Sequence, residues 1–83
     1  MEKSIYTPEY KLLVQLLREI REKAGLTQVQ LAERIGESQV YVSRLERGET
    51  RVDVVQLRTL CAALNTTLVT FARRYEGRLT KLD

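Results

Sequence analysis

The chain has 83 residues, of which 43% are hydrophobic and 30% charged, enough for one domain with one modest core and unlike a disordered or fibrous polypeptide. Its longest apolar runs are a few residues, far short of the roughly 20 that cross a bilayer, and the opening "MEKSIYTPEYK" lacks a signal peptide's apolar centre, so a cytoplasmic protein without a membrane span is expected. A single cysteine, Cys61, and the absence of histidine exclude an intramolecular disulfide and the usual zinc constellations.

The formal net charge of +3 permits a polyanionic partner without requiring one. Ten of the 14 basic residues are arginine, and Arg44, Arg47, Arg51 and Arg58 follow one another closely. Arginine carries a planar fork of donors that matches phosphates and guanine edges, whereas lysine is a point charge. Glu37, Glu46, Glu49 and Asp53 are interleaved, so a solvated mixed-charge surface is an equal reading of charge alone.

In chain order the pattern is helical, with almost no strand signal. Thr7 before Pro8 marks a helix start, because proline at the first helical position gives up no needed donor. The first helix is expected to run to Ala24 and to bury Leu13, Leu17, Ile20 and Ala24, with Leu12 and Leu16 widening the stripe, before Gly25 ends it. Thr27 and Gln30 have capping-box spacing and open a second helix with Leu31, Ala32 and Ile35 inward, stopped at Gly36. Ser38 caps a third helix reaching Arg47, with Gly48 as its left-handed end residue. At helical spacing Val42 and Leu45 face one way, while Val40, Ser43, Arg44 and Arg47 face the other. Asp53 and Gln56 open a fourth helix to Leu64, with Val54, Leu57, Leu60, Cys61 and Leu64 inward and Asn65 at its end. A short fifth helix follows Thr67 and runs to Tyr75, leaving "EGRLTKLD" as a tail. The organisation expected is an N-terminal arm over 1–7, a helical domain over 8–76 and a tail over 77–83.

The run "GLTQVQLAERIGESQVYVSRLERGE", with Gln28, Leu31, Ala32, Gly36, Val42, Leu45, Glu46 and Gly48 at their spacings, resembles the helix-turn-helix of Cro and phage-repressor proteins, the xenobiotic-response-element (XRE) type. Small Ala32 allows the two helices to approach, Gly36 permits a left-handed turn residue, and Val42 and Leu45 seal the second helix on the core. With its flanking helices the resemblance covers residues 8 to 75. It implies an all-α, compact five-helix, lambda-repressor-like domain that binds double-stranded DNA with the third helix in the major groove.

The exposed chemistry of that helix agrees with a base-reading role. Gln39 can bond adenine N6 and N7, Arg44 can bond guanine O6 and N7, Val40 suits a thymine methyl, and Ser43 suits either base. Tyr41 sits at the flank, where its hydroxyl reaches a phosphate or its ring simply packs. The resemblance further implies phosphate contacts from Gln28 and from the segment after the third helix, here Arg47, Thr50 and Arg51, and Ser38 joins Tyr41 as a phosphate candidate at the helix start. It also implies a buried ion pair between Arg21 and Glu46, expected to serve as scaffold.

One recognition helix reads few bases, so a homodimer on a palindrome with half-sites about 34 Å apart is expected. Its candidate surface is Phe71, Tyr75, Leu79 and Leu82. A chain of this length leaves little room for an effector domain, which favours a repressor that occludes a promoter. The alternative is an antitoxin-like module that holds a partner protein such as a toxin, and exposed Leu12 or Leu16 would favour it. An enzyme has little support: there is no metal cluster, glycine-rich phosphate loop or nucleophile motif, and neither cofactor nor catalytic residue is expected.

Overall fold

Each helix begins on a side chain that accepts a backbone N–H. The computed structural model describes residues 7–82, and in it Thr7, Thr27, Ser38, Asp53 and Thr67 accept from the N–H three residues later. These bonds satisfy donors that the first helical turn leaves open. The helices they open are α1 (Pro8–Lys23), α2 (Gln28–Ile35), α3 (Gln39–Glu46), α4 (Val54–Ala63) and α5 (Leu68–Leu79), followed by a 3₁₀ turn at Thr80–Leu82. In α2 the box is complete, because the Gln30 side chain accepts the Thr27 N–H in return. Expectations that concern residues 1–6 of the N-terminal arm lie outside the described residues.

The helix ends repeat one device as well. After α2 the Glu37 N–H donates to the Ala32 carbonyl and the Gly36 N–H to Glu33, with Gly36 at φ 70°. This closure needs a left-handed residue, which glycine supplies without steric cost. Asn65 does the same after α4 at φ 60°, where a short polar side chain is the best tolerated substitute for glycine.

Val14, Leu16, Leu17 and Ile20 of α1, Leu31 and Ala32 of α2, Val42 and Leu45 of α3, Leu60, Cys61 and Leu64 in and after α4, and Phe71 of α5 form one buried core. α2 and α3 share the largest helix–helix contact, and both α1 and α4 pack against α5. The helical pair is thus braced by α1, which packs against α3, and by α4, which packs against α2, with α5 behind both.

Several expectations are corrected. The buried face of α1 is centred on Leu16 and takes in Val14, while Ala24 lies past the last turn and is exposed. Val54, the first residue of α4, is 62% exposed, because that turn projects beyond the packed face. Phe71 is 1% exposed and belongs to the core, so it cannot form an outer interface. α5 does not stop at Tyr75: it continues through Gly77 to Leu79, held to α1 by the Arg78–Glu19 ion pair and by the Tyr75 hydroxyl donating to the Glu9 carbonyl at 2.7 Å. Among the described residues, no single helix is long and apolar enough to cross a membrane.

Candidate nucleic-acid interface

The Gly36 turn and the Ser38 cap set the site. Ser38 starts α3 immediately after the Gly36 turn, so Gln39 and Val40 project from the helix's leading end while Val42 and Leu45 anchor its back. Val40 is 57% exposed at that end, where its methyl groups are accessible. Gln39, Arg44 and Arg47 are exposed, and Ser43 and Tyr41 are half-buried. Arg51 is exposed on the loop between α3 and α4, with half-buried Thr50 before it.

Beneath this surface runs a hydrogen-bonded chain. Arg21 Nε and Nη2 donate to the two Glu46 carboxylate oxygens at 2.5 and 2.9 Å, and Arg21 Nη1 donates to the Leu26 carbonyl at 2.7 Å. The Arg21 and Glu46 side chains are 9% and 5% exposed, which makes this a buried pair with its geometry satisfied at both ends. The bonds to Glu46 push the Arg21 guanidinium further above its ordinary value, so it stays charged. Glu46 Oε1 also accepts from Gln28 Nε2 at 2.9 Å, and Gln28 Oε1 accepts from Gln39 Nε2 at 2.8 Å. An acidic residue that would repel phosphate is thereby neutralised, and its second function is to orient two glutamines.

The arginines divide into two kinds. Arg47 is engaged: its guanidinium pairs with Glu49 at 2.9 and 3.1 Å and donates to Ser43 Oγ. The hydrogen bonds with Arg47 hold the Glu49 carboxyl below, and lift Arg47 above, their ordinary values. The Arg44 and Arg51 guanidinium groups make no hydrogen bond or ion pair among the described residues, so their forks are open to an anion or a base edge. Ser38 Oγ is occupied by the Tyr41 N–H in capping α3.

Neither Tyr10 nor the pairing of Glu49 with Arg47 is announced by the sequence. The Tyr10 hydroxyl donates to the Thr50 carbonyl at 2.7 Å and accepts from the Val52 N–H at 3.0 Å. Burial pushes this phenol up, an effect that the Val52 N–H and the nearby Arg51 charge only partly offset. It therefore keeps its proton and can donate. The contact spans 40 residues of sequence, and no local pattern announces it.

The sequence profile of the helix-turn-helix family HTH_3 matches residues 17–71, which spans α2, α3 and most of the surrounding core. An XRE-family like protein from Pseudomonas syringae pv. tomato str. DC3000 is 36% identical and superposes with a TM-score of 0.82 over 92% of this chain and 93% of its own. The chain belongs to the XRE-type helix-turn-helix family. It is accordingly a DNA-binding transcription regulator and not an enzyme. It is also similar to the clp gene regulator ClgR from Corynebacterium glutamicum, at 31% identity and a TM-score of 0.77 over 86% of this chain and 91% of that one. The restriction-modification controller protein C.Esp1396I, solved as a tetramer with its natural 35 base-pair operator, shares the fold at 21% identity and a TM-score of 0.79, covering 86% of this chain and 93% of its own. No curated protein sequence matches this chain.

Proposed function

We propose that this XRE-family regulator is a repressor that binds a palindromic operator as a homodimer, with α3 in the major groove. The observation that carries the reading is the chain from Arg21 through Glu46 and Gln28 to Gln39, which holds the Gln39 amide at the head of α3, the helix that also carries the open Arg44 fork. One Gln39 N–H is used by Gln28, and the other, with the amide oxygen, remains for adenine N7 and N6. Arg44 reads a guanine, Val40 covers a thymine methyl, and Ser43 meets a neighbouring base edge. Gln28, Ser38, Tyr41, Thr50 and Arg51 hold phosphates on either side, and Arg47 joins them by exchanging Glu49 for a phosphate.

The dimer forms through the C-terminal segment. Phe71 being internal, its contacts come from Tyr75 and Leu79, both half-buried, and from Leu82, which is 46% exposed. Val55 and Val69, 72% and 61% exposed, are the apolar surface to which a failure of that contact would point. The partner-protein reading gains no support from α1, because Leu16 is fully buried and Leu12 half-buried.

Two substitutions test the division of labour. Arg44→Ala should cost about 1 to 3 kcal/mol and relax one base position, whereas Arg51→Ala should weaken binding to all sequences alike and lower the salt slope by about one. Identical behaviour of the two variants in titrations of a preferred and a random duplex would refute it.

A further inference from the structure

The loop after α3 carries Arg51, and within the loop the half-buried Val52 side chain packs against the core, while the backbone there is held from outside. At its start the Gly48 and Glu49 N–H groups bond back to Leu45 and Arg44, and at its end Asp53 caps α4. Between these points, among the described residues, the backbone hydrogen bonds of 50–52 both go to one atom, the Tyr10 hydroxyl, which takes the Val52 N–H and gives its proton to the Thr50 carbonyl. Those two groups lie on the two sides of Arg51.

We propose that Tyr10 is a positioning residue for DNA binding: from α1 it clamps the peptides flanking Arg51 and so presents the guanidinium to a phosphate in a preset course of the loop. This inference rests on the DNA-binding reading of Arg51 given above. A hydroxyl is suited to the task, because its single oxygen can donate and accept at once. The rest of the side chain packs against the core, which fixes the hydroxyl's position. α1 is itself held at this end, since the Tyr10 N–H is capped by Thr7 Oγ1 and the Glu9 carbonyl accepts from Tyr75. A loop ordered in advance loses less freedom when DNA arrives, and the gain appears as affinity common to all sequences.

The test uses Tyr10→Phe, which keeps the ring and removes the hydroxyl. Dissociation constants are measured by fluorescence anisotropy for a selected duplex and a random duplex, in wild type, Tyr10→Phe, Arg51→Ala and the double variant, well below each melting temperature. The expected result is an equal weakening of both duplexes by about two- to tenfold, the net range of a single hydrogen bond although the hydroxyl makes two, since only part of their loss reaches binding, with Arg51→Ala costing less in the Tyr10→Phe background than in wild type. Additive losses, or unchanged affinity beside a lowered melting temperature, would reduce Tyr10 to a structural residue and overturn the proposal. Hydrogen exchange in the wild-type protein gives a second readout that needs no variant: the Val52 amide should be protected, and exchange at an open-chain rate would overturn the clamp. Should wild type itself bind no duplex, the DNA-binding reading falls and takes the proposal with it. Binding by wild type with no effect of Tyr10→Phe overturns the proposal alone.

Discussion

Replacing Glu46 with alanine removes both oxygens that hold the Arg21 guanidinium. The cation, on a residue only 8% exposed in the native fold, keeps the Leu26 carbonyl at 2.7 Å and the exposed Glu22 carboxylate at 4.0 Å as its remaining partners. Orphaning one member of a buried ion pair costs about 3 to 5 kcal/mol, and the two residual partners argue for the lower end, about 3 kcal/mol. A chain of 83 residues has a total stability of about 4 to 12 kcal/mol, so the loss is a large fraction of it. At about 4 to 8 °C per kcal/mol for a domain of this size, the melting temperature should fall by about 12 to 24 °C. Urea denaturation with a common slope, paired with calorimetry, measures both quantities. Substituting both partners, Arg21→Met with Glu46→Leu, should restore most of the loss, because no buried charge remains. A cost for Glu46→Ala below about 1 kcal/mol would refute the argument that this pair is a scaffold whose geometry is satisfied only as a pair.

Three further outcomes are expected. Gly77 lies inside α5 with open space where a Cβ would go, so Gly77→Ala should raise stability by about 0.5 to 1 kcal/mol in denaturant titration; a destabilisation would mean that α5 ends earlier. Leu79→Lys with Leu82→Lys should yield a monomer in sedimentation while leaving the fold intact, and a persisting dimer would move the contact to Val55 and Val69. Hydrogen bonds with Arg78 and Arg47 lower the Glu19 and Glu49 carboxyls, so these pairs stabilise the fold above the ordinary carboxylate value, and that contribution is lost as pH falls through the depressed folded values. Burial raises Tyr10 and Cys61, whose contribution is fully present below their ordinary values and lost as pH rises through the raised folded values. With no histidine in the chain, the melting temperature should be flat between about pH 6 and 8, and a step in that window would contradict this charge inventory.

Local chemistry was legible where the chain writes it locally. Thr27 with Gln30, Ser38, Asp53, Gly36 and Gly48 mark helix ends because each acts on neighbours within a few residues. Core positions were legible only in part, since helical spacing identifies a face without saying what covers it. Phe71 and Val54 show both failures, one buried where an interface was expected and one exposed where a core was. The end of α5 lies beyond the Tyr75 expected from local pattern because the contacts that carry the helix on through Gly77, Tyr75 to Glu9 and Arg78 to Glu19, join positions 66 and 59 residues apart. The Arg21 and Glu46 pairing came from the family resemblance, and spacing alone would not have found it. Its extension through Gln28 to Gln39, the engagement of Arg47 by Glu49, and the Tyr10 clamp required the folded arrangement.

The central claim, that α3 reads a sequence and the surrounding residues hold the backbone, is tested most directly by selecting bound duplexes from a random DNA pool and measuring affinity for the winner at two salt concentrations. The account predicts a palindromic consensus with half-sites about one helical turn apart, bound far more tightly than random DNA, and a steep loss of affinity with salt. Recovery of no consensus, with weak binding that salt removes equally from every sequence, would contradict it.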